Sequence, residues 1–192
     1  MNKILVIAGP SAAGKTTVMN EILNSNKNFE YIRSATTRAP RGDKFDSEYI
    51  YLSDDEFRFR IKNGGMLEYT EYGGNFYGTP RSEIERIFSD GKVPVLILDL
   101  IGVKTLKTGK RDFSVFAVYL TADREALNAR LYERLRAADF SDEAREIFEK
   151  RKAQNLADEE TFLKMQSFFD LVIPNNDVCE CASKIVLAFE KH

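Results

Sequence analysis

"KILVIAGPSAAGKTT" spans residues 3–17, and its two halves follow different rules. Residues 3–8 are a short, continuous apolar run with β-branched members, the pattern of a strand buried on both faces of a parallel sheet. Gly9 and Pro10 end the run, and a helix through about Leu23 follows directly. Where the two meet, Gly9, Gly14, Lys15 and Thr16 satisfy the pattern G-x-x-x-x-G-K-[ST]. The glycines let backbone N–H groups curl round a phosphate, and the helix start adds the positive end of its dipole. Lys15 can reach the β and γ phosphates, while the Thr16 hydroxyl can ligate Mg²⁺. Gly9, Pro10, Ser11, Ala12, Ala13, Gly14, Lys15, Thr16 and Thr17 are therefore the expected ATP site, with Mg²⁺ accompanying the nucleotide. The alternative is a glycine-rich turn with an incidental lysine.

Further along, "VPVLIL" (93–98) and "FSVFAVYL" (113–120) repeat the buried-strand signature, and "FDLVIP" (169–174) adds a fourth candidate. Each adjoins a helical stretch, which predicts an α/β fold: a P-loop NTPase-type parallel sheet flanked by helices. Residues 30–78 read differently, as short alternating strands such as "MLEYTEY" and "GNFYG" joined through Gly73 and Gly74. They predict an inserted β-rich subdomain. Within it, Ser53 and Glu56 make a capping box for a helix through about Lys62. Thr79 and Pro80 read as the N-cap and first position of another, ended by Gly91. Thr121 is expected to open a long polar helix, and from about Arg130 to Lys164 the chain is densely charged with few large apolar residues. Such a stretch packs weakly and can move.

The chain has 192 residues, 43% of them hydrophobic, enough for one well-covered core. Its 28 basic and 30 acidic residues nearly cancel, so no global field points to nucleic acid or an anionic membrane. Anion recognition must be local. The run Ile4–Ala8 is too short to span a bilayer and the N-terminus lacks a signal-peptide pattern, so a cytoplasmic location is expected. Cys179 and Cys181, two apart on the last helix, point to different faces and are expected to stay reduced. With His192 as the one histidine, a zinc site is not expected.

"RSATTRAPR" (33–41) concentrates fixed charge in a segment suited to neither a helix nor a long strand. A P-loop enzyme that transfers a phosphoryl group must hold an acceptor and exclude water. Arg38 and Arg41 can form a guanidinium fork for a second phosphate, with Tyr49 and Tyr77 adding hydroxyl donors; the alternative is two solvated arginines beside a proline turn. Guanine presents an O6 acceptor beside N1–H and N2 amino donors. A carboxylate such as Glu68 can take both donors, and the hydroxyls of Ser34 or Thr79 can serve O6. Asp99, at the end of "VPVLIL", is a candidate for the metal shell, through water, or for acceptor contact; alternatively it caps the next helix.

The succession "GPSAAGKTT", "SATTRAPR", "DSEY", "LEYTEYGGNFYGT" and "IGVKTL", in this order and nearly this spacing, closely resembles the guanylate kinase family. The match is good to about Lys107 and looser beyond. The resemblance implies a single domain in three parts: a core at about 1–32, 92–125 and 165–192, a GMP-binding subdomain at about 33–91 and a lid at about 126–164. It implies that Ser34, Arg38, Arg41, Tyr49, Glu68, Tyr77 and Thr79 contact GMP, and that ATP and Mg²⁺ are used to make GDP in purine nucleotide metabolism, with dGMP as a second expected acceptor.

The chain departs from the family pattern at three points. Ile97 stands where members typically carry the first of two aspartates, leaving Asp99. The lid segment reads "ARLYERLRAADF", where Arg130 and Arg134 match but the glycines do not, and the stretch before Lys150 and Arg151 is longer. The loop after Arg41 is about one residue shorter. Lys15, Arg38, Arg134 and Arg151 are the expected catalytic cations; for the two lid arginines the alternative is surface pairing with Glu133, Glu146 or Glu149. Two other readings compete: a guanylate-kinase-like binding module that has lost catalysis, and a kinase for a different phosphorylated acceptor.

Overall fold

The computed structural model describes residues 2–40 and 49–192. Arg41, together with most of the "DSEY" segment, lies outside the described residues.

The quoted stretch folds as read. β1 (Lys3–Ala8) is buried from Ile4 onward, and α1 (Lys15–Ser25) follows it through the loop 9–14. Five strands make an all-parallel sheet in the order β2-β7-β1-β8-β9, with β2 at Phe29–Tyr31, β7 at Val93–Ile97, β8 at Ser114–Thr121 and β9 at Leu171–Pro174. β1 sits in the middle, so both its faces must be apolar. Leu5 and Ile7 pack with Val18, Met19 and Ile22 of α1 and with Cys181, Ile185 and Phe189 of α7 (Val178–Lys191). Ile4 and Val6 face the other layer, with Ile84 and Ile87 of α3 (Arg81–Ser89) and Val103 and Leu106 of α4 (Leu100–Thr108). On α7, Cys181 is buried and Cys179 exposed, the divergence their spacing predicts.

Between β2 and β7 the chain builds a second sheet in the order β4-β3-β6-β5, from β3 (Ser34–Thr36), β4 (Tyr49–Tyr51), β5 (Met66–Tyr72) and β6 (Asn75–Pro80). The β5–β6 connection is a two-residue turn in which Gly73 and Gly74 both have positive φ, 59° and 73°, as the tight hairpin requires. This sheet has its own apolar cluster of Ala35, Leu52, Phe57, Met66 and Phe76. Phe57 comes from α2 (Asp54–Lys62), whose start is capped by the Ser53 hydroxyl accepting the Glu56 N–H. The Glu56 side chain does not complete the box; it pairs with Arg60 at 2.7 Å.

Two helix starts differ from the sequence reading. Thr79 and Pro80 belong to β6, and α3 begins at Arg81, because the Thr79 hydroxyl is engaged by Glu68 and not by the helix. Thr121 ends β8, and α5 (Arg124–Ala137) follows Asp123 instead. α5 leads to α6 (Asp142–Met165), 24 residues of which Met165 alone is buried, so the charged segment does pack weakly. Among the described residues, no helix is long and apolar enough to cross a membrane.

Candidate active site

The loop after β1 is shaped by close approaches. A Cβ at Gly9, whose φ is 146°, would lie 2.5 Å from the Leu120 carbonyl oxygen, and one at Gly14, with φ 91°, would overlap the Asn175 amide. Ala12 also takes a positive φ, 68°, a strained setting for a residue with a side chain. α1 opens at Gly14 with no side-chain cap and no acidic residue in its first turn, leaving its amides and positive dipole end for an anion. Lys15 Nζ turns back to donate to the carbonyls of Gly9 and Pro10, at 2.8 and 2.9 Å. Burial lowers its pKa to about 8, Asp158 opposing the shift and Arg134 and Arg151 adding to it. These cations therefore converge on one place, which a polyphosphate would neutralise.

Arg134 is itself lowered, first by burial and then by Arg151, although much of its surface remains open. Among the described residues neither arginine forms an ion pair with a carboxylate; Glu133 pairs with Arg136 at 2.7 Å. Arg130, one turn before Arg134 on α5, instead donates to the carbonyls of Ala12 and Asn175, both at 3.2 Å. Asn175 Nδ2 in turn donates to the Ala13 carbonyl at 2.8 Å. Together they hold the far side of the loop.

A second cleft, of about 560 Å³, opens between the two sheets. Ser34, Tyr49, Glu68, Tyr77, Ile97 and Asp99 all line it. Glu68 accepts a hydrogen bond from the Thr79 hydroxyl at 2.6 Å. Burial raises the Glu68 pKa above the usual carboxylate value; the Thr79 hydrogen bond pulls the other way, and Asp99 adds a smaller upward push. Asp99 Oδ1 accepts the Gly102 N–H at 2.7 Å, so the helix-capping alternative is realised, and its carboxylate still borders the cleft. Arg38 stands beside this cleft with its guanidinium 5.4 Å from the Tyr49 ring and donating to the Ala39 carbonyl at 2.8 Å. Tyr49 and Tyr77 meet edge to face with centroids 6.5 Å apart. The structure thus brings together the described acceptor residues expected from sequence, with Arg38 at the rim and Thr79 behind Glu68.

The sequence reading did not single out Asn155, Asp158 or Asn175. The first two share a helical face with Arg151 at i, i+4 and i+7, a spacing visible in "RKAQNLAD" once the helix is known. Asn175 follows the strand-ending Pro174, at the edge of the sheet where loops gather around a phosphate site. Mg²⁺ takes hard oxygen ligands and retains several waters, so a substrate phosphate and one hydroxyl suffice beside them. The Thr16 side chain, exposed on the first turn of α1, fits that demand. Among the described residues no cluster of three or more His, Cys, Asp or Glu offers an all-protein metal cage.

A parallel sheet with a phosphate-binding loop opening its first helix, and a cleft between an inserted sheet and the end of β7, the neighbour of β1, define a P-loop phosphotransferase architecture. The family model described as "Guanylate kinase" matches residues 1–192. A guanylate kinase of Porphyromonas gingivalis is 33% identical over 188 residues, covering 96% of this chain and 95% of the relative. One from Lactococcus lactis is 34% identical over 183 residues, covering 95% and 84%. The crystal structure of guanylate kinase from Anaplasma phagocytophilum superposes with a TM-score of 0.66 at 26% identity, covering 99% of this chain and 85% of that one. The chain belongs to the guanylate kinase family.

Proposed function

We propose that this chain transfers the γ-phosphoryl group of ATP to GMP, giving ADP and GDP, and that it does so in the cytoplasm with Mg²⁺ as the metal. The observation that carries the reading is the cleft lined by half-buried Glu68 with Ser34, Tyr49, Tyr77 and Asp99, at the end of β7, the strand paired with the one that leads into the phosphate loop. A half-buried carboxylate held by Thr79 satisfies the adjacent N1–H and N2 donors of guanine, which adenine does not present. Arg38, with Arg41 from the neighbouring segment, and the hydroxyls of Tyr49 and Tyr77 take the acceptor phosphate. We assign residues of about 33–91 to acceptor binding and of about 126–164 to the lid, with dGMP as a second acceptor.

The acceptor's phosphate oxygen is already ionised, so attack on the γ phosphorus needs no general base. Catalysis then consists of alignment and charge stabilisation. The amides of the 9–17 loop and the start of α1 hold the donor phosphates, and Lys15 leaves its carbonyl partners to follow the β and γ phosphates. Arg38 aligns the acceptor phosphate, and Arg134 and Arg151 converge on the charge that spreads during transfer. The Thr16 hydroxyl, and Asp99 through water, would hold Mg²⁺, which would neutralise the donor phosphates when bound. Closure of the lid over the cleft excludes water and limits ATP hydrolysis.

Phosphoryl transfer from ATP to a panel of GMP, dGMP, IMP, AMP, CMP, UMP and a ribose bisphosphate, with hydrolysis followed separately, tests the reading. A strong preference for GMP that collapses in Glu68→Gln is expected; equal use of AMP would retire the guanine assignment.

A further inference from the structure

The Asn155 side chain on α6 meets one residue of the phosphate loop at both its backbone N–H and its carbonyl. Its Oδ1 accepts the Ser11 N–H at 2.6 Å, and its Nδ2 donates to the Ser11 carbonyl at 3.1 Å. A carboxamide can accept and donate at once; a carboxylate can only accept, and an alkyl group does neither.

The apolar anchors of α6 lie elsewhere along the helix. Met165 is its one buried residue, and Phe162 stacks on Tyr119 with centroids 3.7 Å apart, both near its C-terminal end. At a rise of 1.5 Å per residue, Asn155 lies roughly 15 Å back along the axis from Met165. Beside the middle of the helix is a cavity of about 380 Å³, walled by Pro10, Tyr119, Leu127, Leu156 and Phe162, with Asn155 on its lining. Apolar packing therefore does not press α6 onto the loop here. The Arg124–Glu159 pair joins α5 to α6 at 2.8 Å, but both side chains are mostly exposed and water screens them.

Register gives the contact its meaning. Arg151, Asn155 and Asp158 fall on one helical face, and Lys15 feels the charge of both Arg151 and Asp158. Arg151 stands about 6 Å, one turn, beyond Asn155 along α6.

We propose that Asn155 is a positioning residue: a two-point clasp between α6 and the phosphate loop that sets Arg151 over Lys15 before any nucleotide arrives. This inference rests on the phosphoryl-transfer reading above. Without the clasp the direct hold of α6 on the phosphate loop is lost, and Arg151 samples a wider range of heights above it. Misplacement of this kind slows the chemical step while leaving the acceptor cleft, to which α6 contributes no lining residue, intact.

Asn155→Ala is expected to lower kcat about 10- to 100-fold with the KM for GMP within about twofold of wild type. Asn155→Gln keeps donor and acceptor and should recover part of the rate; Asn155→Asp keeps the acceptor alone, opposes the Ser11 carbonyl and should not. In the nucleotide-free protein, amide hydrogens of residues 142–155 should exchange faster in Asn155→Ala while those of β1 and β7 stay protected. The proposal is overturned by an unchanged kcat, by Asp recovering the rate as well as Gln, or by unchanged exchange in α6. Should the wild-type protein transfer no phosphate to GMP, the functional reading alone fails, and the exchange comparison still decides the clasp.

Discussion

The Thr79 hydroxyl donates to Glu68 Oε1 at 2.6 Å, tying two adjacent strands of the inserted sheet to one side of the acceptor cleft. Glu68 is buried enough for its pKa to rise, and this hydrogen bond opposes the rise. Thr79→Val preserves shape and deletes the donor. A hydrogen bond to a charged group contributes about 1.5–3 kcal/mol, so GMP affinity should fall about tenfold or more while ATP affinity holds. Calorimetric titration with each nucleotide separates the two, and an equal loss for both would contradict the assignment.

The same carboxyl predicts a pH effect. Guanine's donors require the ionised form, and burial lifts the pKa of the free protein's Glu68. GMP affinity should therefore weaken as pH falls, and at a higher pH than an unperturbed glutamate would produce. In Glu68→Gln this acid limb should vanish along with most of the affinity.

Lys15 gives the opposite limb. Its pKa of about 8 means that the empty site loses its cation as pH rises past that value, whereas a bound polyphosphate favours the charged form. ATP affinity should fall by up to about tenfold per pH unit above 8, where the nucleotide's own ionisation is complete. For the unliganded fold the sign reverses: a lysine lowered from 10.5 penalises the folded state at low pH, and that penalty lifts between about 8 and 10.5. Binding isotherms across this range check the first statement, and thermal unfolding without nucleotide checks the second.

Arg151 lies outside the acceptor cleft and acts on Lys15 through charge. Arg151→Ala should reduce kcat far more than it raises the KM for GMP, and it should raise the Lys15 pKa by removing a like charge. Parallel losses in both kinetic constants would show that the arginine binds the acceptor in the ground state.

The shape of the phosphate loop was legible in the sequence because its parts are contiguous: a strand, six loop residues and a helix start leave one pattern in one place. Glu68, Ser34 and Thr79 could be chosen by chemistry, but their meeting depends on the β5–β6 hairpin and on β3 pairing with β6 across more than forty residues. Thr79 illustrates the limit. Its position before Pro80 reads as a helix cap, and a tertiary hydrogen bond to Glu68 overrides that local preference. Asn155 was silent for another reason: an asparagine in a charged helix carries no periodic signal until its partner, a backbone peptide 144 residues away, is known.

Phe57 tests the independence of the inserted sheet. It is fully buried, and its ring stacks on Phe76 with centroids 5.3 Å apart, inside a cluster separate from the two that line the parallel sheet. Phe57→Ala should cost about 3–5 kcal/mol locally. GMP binding should fail at a lower temperature than ATP binding does, which ligand-specific thermal shifts can read.

The hold of Asn175 and Arg130 on Ala12 and Ala13 has a consequence for synthesis. The loop is synthesised well before the residues that secure its carbonyls, which lie 118 to 162 positions later. Strand β9 must dock beside β8 before Asn175 can fill the space that Gly14 leaves open. A nascent chain halted before residue 170 carries the whole phosphate-binding sequence but lacks the partners that fix its shape. A motif made long before its partners thus takes its final shape only after them, when the sheet is complete.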